Sequence, residues 1–198
     1  LQKYTQVDVI SETTLKGIIT KLKPYNLVII GFHKSNSNPW KSYKFNNKDL
    51  VWLQEIARNK DVILDVFASP YSLLQVKKYK NIASIIVSYQ NSKIAQELSA
   101  QLIFGAFGAK GKLPVSIHHK FLEGHGIITS ELSRLGYAIP EEVDMSSKKL
   151  EKIDSMASII LAKKMTPGFQ VLVARNSQVI FAKSYGYHTD KEIKKVKN

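Results

Sequence analysis

Apolar and polar residues follow two different rhythms along this chain. NLVIIGFH (26–33), DVILDVFAS (61–69) and IASIIVSYQ (82–90) are short, almost unbroken apolar runs, the pattern of strands buried on both faces of a parallel sheet. Around them lie SETTLKGIITKLKPY (11–25), NKDLVWLQEIARN (47–59), PYSLLQVKKYKN (70–81) and NSKIAQELSAQLIFG (91–105). Their apolar residues recur every three or four positions, which predicts helices. Ser11 is the expected N-cap of the first, Asn46 or Asn47 of the second, and Asn91 or Ser92 of the last. QVDVI (6–10) and KLPVSI (112–117) read as two more short strands. Strand–helix alternation predicts an α/β fold, here a three-layer α/β/α sandwich with a mainly parallel sheet and right-handed crossovers.

The pattern then changes. Residues 118–143 show no sustained periodicity and read as a linker. Residues 144–165 predict one amphipathic helix with Leu150, Ile153, Met156, Ala157, Ile160 and Leu161 on its apolar face and Ser146 in its first turn. FQVLVARN (169–176) and QVIFAKSYGY (178–187) predict a hairpin turning at Asn176-Ser177. The expected organisation is an α/β domain over 1–117, the linker, and a helix plus hairpin over 144–198. One helix and one hairpin bury little, so the last segment is expected to open a larger domain. The leading Leu1, in place of Met, is read as a cut from a longer protein.

Composition narrows the function classes. Apolar residues make up 44% of the chain, enough for a core, and cysteine is absent, which excludes disulfides and thiolate-bound metal. No run of 18 apolar residues predicts a membrane span. The net charge of +13 raises nucleic-acid binding, yet 26 of the 29 basic residues are lysines, and the arginines are only Arg58, Arg134 and Arg175. Arginine is the group suited to bidentate phosphate and base contacts. The lysines are spread through both parts of the chain, as on a solvated surface. No nucleic-acid partner is expected.

The glycines of GAFGAKGKLPVSI (105–117) resemble a phosphate loop only superficially. Such a loop runs from a strand into a helix, so that free N–H groups face the anion. Here the order is helix then strand, and Leu113 follows the lysine where Ser or Thr is required. The glycines read as helix-ending and turn residues, and no nucleotide or other cofactor is expected.

The same stretch, extended back to IIVSYQNSKIAQELSAQLIFGAFGAKGKLPVSI (85–117), resembles the C-terminal α/β domain of glycoside hydrolase family 3. The similarity is to the branch holding bacterial β-N-acetylglucosaminidases and β-glucosidases. It rests on Gly105, Ala109, Gly111, Lys112, Leu113, Pro114, Val115 and Ser116 after a helix, and spans about residues 1–126. LGYAIPEEVDMSSKKLEKIDSMASIILAKKMTPGFQVLVARNSQVIFAKSYGY (135–187) resembles the opening of a serine β-lactamase-like domain. The resemblance implies hydrolysis of β-glycosidic bonds, by β-N-acetylglucosaminidase or β-glucosidase chemistry, in a periplasmic or secreted protein. It places the catalytic groups in an N-terminal TIM barrel outside this chain, leaving the α/β domain to wall one side of the sugar site. The partners it implies are that barrel and a carbohydrate substrate. In the glucosidase branch the α/β domain also supplies a glutamate acid/base. Glu55, Glu97 and Glu123 do not match it, because none follows a parallel strand in a loop. No catalytic residue is therefore assigned. The competing reading is a standalone flavodoxin-like interaction module.

Several residues bear on chemistry. Ser146-Ser147-Lys148-Lys149 fits S-x-x-K and Tyr89-Gln90-Asn91 fits Y-x-N, but Ser146 stands where a helix cap belongs. His118, His119 and His125 with Glu123 have metal-ligating chemistry, yet no periodic element fixes them, and no metal is assigned. Asp61 and Asp65 share a strand face and read as strand-end pairing groups. The candidate sugar-binding residues are His33, Lys34, Ser35, Asn36, Asn38 and Trp40. They follow a buried strand at the end where α/β sheets place their crevice, and amides beside an indole suit a sugar's hydroxyls and C–H face.

Overall fold

The structure is a computed structural model and describes residues 1–37 and 43–197. They form two compact units: Leu1–Phe104 with Gly108–Ser130, and Gly105–Phe107 with 131–197.

The first unit is an α/β arrangement around a three-stranded parallel sheet. The strands β1 (Leu27–His33), β2 (Asp61–Phe67) and β3 (Ile82–Val87) lie in that order. Gly31 sits opposite Asp65, and His33 opposite Phe67. Helix α2 (Asn47–Asn59) links β1 to β2. Asn46 caps it through a reciprocal box: Asn46 Oδ1 accepts from the Asp49 N–H at 2.8 Å, and the Asp49 carboxylate accepts from the Asn46 N–H. Helix α3 (Lys93–Ile103) follows β3 and starts at Ser92, whose hydroxyl accepts from Ala95 N–H at 3.2 Å. Leu53 and Ile56 of α2 pack with Val62, Leu64 and Val66 of the central strand, together with Phe32, Leu73 and Ile117.

Four expectations give way here. QVDVI is not a strand: Val9 is 88% exposed and Asp8 accepts from the Tyr25 hydroxyl at 2.7 Å. It pairs with neither edge of the sheet. The first helix, α1 (Leu15–Lys21), starts at Thr14 and not Ser11, because Thr14 Oγ1 takes the Gly17 N–H. The run 70–81 yields only a 3₁₀ helix, Pro70–Gln75. The Leu73 carbonyl already accepts from Val76 N–H and from the buried Tyr79 hydroxyl, the latter at 2.6 Å, so the i→i+4 bond that would continue an α-helix is not made. Burial pushes that phenol up to about 12.

KLPVSI is also not a sheet strand. Leu113 N–H donates to the His125 carbonyl and Gly124 N–H to that of Leu113, while Ile117 bridges only to Phe121. Pro114 has no N–H to offer a ladder, and the segment closes on residues 121–125 instead. That closure puts Ile117 in the core of the first unit, with Phe121 packed against it.

In the second unit β5 (Gly168–Arg175) and β6 (Gln178–Gly186) form the expected hairpin, and β4 (Gly136–Tyr137) adds a short parallel edge in the order β4-β6-β5. Asn176 and Ser177 have φ of 50° and 60°, the two positive values of a type I′ turn. The expected single helix comes in two pieces, α4 (Ser147–Leu150) and α5 (Lys152–Ala162). Of its predicted face, Ala157 is fully buried, whereas Met156 is 63% exposed. Asp154 of α5 binds the hairpin twice, to Lys183 Nζ and the Tyr185 hydroxyl, each at 2.7 Å. Burial, then that hydrogen bond, raises the Tyr185 phenol to about 12.

Candidate functional site at the carboxyl end of the sheet

The site is built where β1 and β3 end, around residues that the sheet register brings together. Successive side chains of a strand alternate faces, so Val62, Leu64 and Val66 point to one side of β2 and Asp65 to the other. Asp65 is 3% exposed. Its two carboxylate oxygens accept from Ser88 Oγ, just past β3, at 2.7 Å, and from Ser99 Oγ on α3. It is thus a tie between strand, loop and helix, in place of the strand-end pairing group expected from its spacing to exposed Asp61. Burial raises the Asp65 carboxyl above its ordinary value, against the opposing pull of the two hydroxyls and of His33.

His33 folds back along β1 over Gly31. A Cβ on Gly31 would collide with its Nε2, so a glycine is what gives the imidazole its place. The ring stacks on Phe67 of the neighbouring strand, centroids 4.5 Å apart and planes 9° from parallel. His33 Nδ1 lies 3.0 Å from Asn91 Oδ1, and as an amide oxygen only accepts, Nδ1 carries the proton. Asn91 Oδ1 also accepts from Gln96 Nε2 at 2.9 Å, and Asn91 N–H donates to Asn36 Oδ1 at 3.0 Å. The loops after β1 and β3 are therefore stitched together by amides. Ser35 and Ser37 hydroxyls bond at 2.6 Å beside them, and Lys34 Nζ sits over the Phe32 ring, 5.1 Å from its centroid.

Of the residues expected to bind sugar, His33 and Asn36 join this network, Ser35 lies next to it, and Lys34 turns to Phe32. Asn38 and Trp40 lie outside the described residues. Sequence reasoning set the Ser/Asn-rich loop 88–92 beside the 33–40 loop as a second candidate and offered Asn91 or Ser92 as the helix cap, a role Ser92 takes; it missed Asp65 and Gln96 as partners. Gln96 and Ser99 lie one helical turn apart on α3, four and seven residues beyond the cap at Ser92. That spacing is the signal that could have found them.

Gly31→Ala is expected to eject the imidazole from its stack while changing stability by less than about 1 kcal/mol. Only a rotatable ring must move, and alanine is the better strand residue. Loss of the ring-current shift that Phe67 imposes on the His33 ring protons in NMR, with an unchanged melting midpoint, would show it.

Comparison of the chain with known protein families, with curated proteins and with solved structures found no match.

The other candidates resolve into structural roles. Ser146 Oγ accepts from Lys149 N–H at 3.3 Å as the cap of α4, and Glu141 accepts from both the N–H and the hydroxyl of Ser147. Tyr89 belongs to the first unit and Ser146 to the second. The ring of His118 lies 2.7 Å from the Leu74 carbonyl, and that of His125 rests against Phe121. Among the described residues no three His, Asp or Glu gather as metal ligands. Gly105, φ 76°, follows the C-cap of α3, and Lys112 Nζ donates to the Gly126 carbonyl at 3.2 Å, so these groups end a helix and close a turn. Glu55 pairs with Arg58 and Glu97 with Lys93 on their own helices. No helix among the described residues is long and apolar enough to cross a membrane. An open depression of about 530 Å³ lies at the opposite, amino end of the sheet, lined in part by Asn26, Arg58, Lys60 and Asp61. Its Arg58 is held by Glu55, its Lys60 donates to the Lys23 carbonyl, and Lys80 also lines it.

Proposed function

We propose that the first unit is the α/β domain of a family 3 glycoside hydrolase and borders a sugar site completed by a TIM barrel outside this chain. The observation that carries the reading is the amide network of His33, Asn36 and Asn91 at the carboxyl end of a parallel sheet. That is the end at which open α/β sheets bind ligands. Rigid amides and a histidine are groups that meet hydroxyls without charge. In this reading the unit is a three-layer α/β/α sandwich. The helix and hairpin of the second unit are the opening of a serine β-lactamase-like domain, and the whole protein works in the periplasm or outside the cell. The chemistry cleaves β-linked glucosamine or glucose. A retaining glycosidase needs two carboxyl groups about 5 Å apart. Asp65, whose carboxylate is closed off by two serines, has no such partner. The domain's role is therefore binding and orientation.

The test is an NMR titration of the 198-residue chain with methyl N-acetyl-β-glucosaminide and methyl β-glucoside, beside an assay with their p-nitrophenyl counterparts. Shifts confined to 33–37 and 88–92, with no release of nitrophenol, are expected. No shifts there at saturating millimolar sugar, or hydrolysis by the chain itself, would overturn the reading.

A further inference from the structure

Tyr89 stands one residue past Ser88 and two before Asn91, with φ at 58°. The left-handed region is rare for a bulky L-residue and natural for glycine or asparagine. The backbone is driven there because both flanks are fixed. Ser88 N–H donates to the Val66 carbonyl at 2.9 Å and its hydroxyl binds Asp65. Asn91 is bound by Asn36, His33 and Gln96. Between those clamps the chain turns sharply, with Gln90 N–H only 2.6 Å from the Ser88 carbonyl. Glycine would make this turn without strain, and a tyrosine occupies it.

Tyr89 is not in the core, for it stays 41% exposed. Backbone strain at a partly exposed residue is found often at binding sites. Tyr89 shares its loop with Asn91, which is bonded to Asn36, and an aromatic ring together with amides suits a neutral pyranose. Its equatorial hydroxyls meet amides, and its axial C–H bonds form an apolar face that lies on a π-surface. Asn36 uses its Oδ1 on Asn91 N–H, which leaves its amide hydrogens to meet a sugar oxygen.

We propose that Tyr89 is the stacking platform for a neutral pyranose ring at the carboxyl end of the sheet, set against the amides of Asn36 and Asn91. The inference rests on the sugar-site reading above and adds a residue on the β3 loop that the β1 loop alone does not supply.

The test is the titration just described, repeated with Tyr89→Phe, Tyr89→Ala and Tyr89→Gly, each also melted thermally. Phe keeps the π-face, and its affinity is expected within about twofold of the parent. Ala and Gly lose the face and are expected to weaken binding about tenfold. Gly relieves the strained turn and is expected to raise the melting midpoint above that of Ala and of the parent. If the parent binds and Ala binds equally well, the platform is disproved while the sugar site stands. If Gly melts below the parent, the ring serves the fold and the inference fails. If the parent shows no shift at 33–37 and 88–92 with either sugar, the inference falls together with the site.

Discussion

Asp65→Ala is expected to destabilise the first unit by about 2–3 kcal/mol, whereas Asp65→Asn should change it by less than about 1 kcal/mol. The alanine strips the acceptor from two hydroxyls, Ser88 Oγ and Ser99 Oγ, and opens a void beneath α3. Each stranded polar group in the interior costs its desolvation, while the carboxylate's own burial cost is removed, which keeps the total moderate. The asparagine retains shape and an acceptor oxygen, and a serine hydroxyl can rotate to accept from its NH₂. The pH dependence separates the two causes. Burial raises the Asp65 pKa in the folded protein, so the folded state holds this proton more tightly than the unfolded chain. The contribution of Asp65 to stability is then greatest below the unfolded carboxylate pKa of about 4 and declines as pH rises through the higher folded value. Asp65→Asn should flatten that decline. Denaturant midpoints measured from pH 3.5 to 7 check it; an unchanged slope in the asparagine variant would mean that Asp65 is not buried as described.

Leu64→Ala should cost more, about 3–4 kcal/mol. Leu64 is wholly buried in the central strand, inside the cluster that joins α2 to the sheet. Its loss removes transfer energy and leaves a cavity that flanking strands on both sides prevent from collapsing. Leu98→Ala, by contrast, trims a side chain of α3 that is exposed, and is expected to shift stability by less than about 0.5 kcal/mol. Urea melts of the two variants beside the parent decide the contrast. A Leu64 variant as stable as the Leu98 variant would place Leu64 outside the core.

The two substitutions fall on adjacent residues of one strand and act through opposite faces, and this alternation explains what could be read in advance. The apolar runs at 27–33, 61–67 and 82–87 announced three parallel strands, although only the central one is buried along most of its length, and β1 and β3 are largely half-buried or exposed. Asp65 interrupts such a run. An isolated carboxylate in an apolar stretch signals an internal partner, but the partner's identity is set by residues 23 and 34 positions away. The hairpin was legible down to its turn, since Asn176-Ser177 between alternating strands is a local signal. QVDVI and KLPVSI had strand-like patterns too, but neither joins an edge of the sheet, and KLPVSI closes on residues 121–125 instead. In the candidate site, His33 and Asn36 were legible from their place after β1. The loop 88–92, with Tyr89 and Asn91, was legible as a second polar loop, whereas its bond to Asn36 and the part of Gln96 came only from the meeting of distant segments.

What the sequence determined by itself was whatever neighbouring residues can settle among themselves: the three apolar strands, caps narrowed to Asn46 or Asn47 and to Asn91 or Ser92, the cap at Ser146, and the turn at 176–177. Tertiary structure alone decided which patterned segments join a sheet, how Asp65 is hydrogen-bonded by two serines, and that His33 lies over Gly31 against Phe67. The reason is physical. Helix caps and hairpin turns close hydrogen bonds over a few residues, whereas ladder pairing and buried polar contacts depend on which distant groups the packed core brings within about 3 Å.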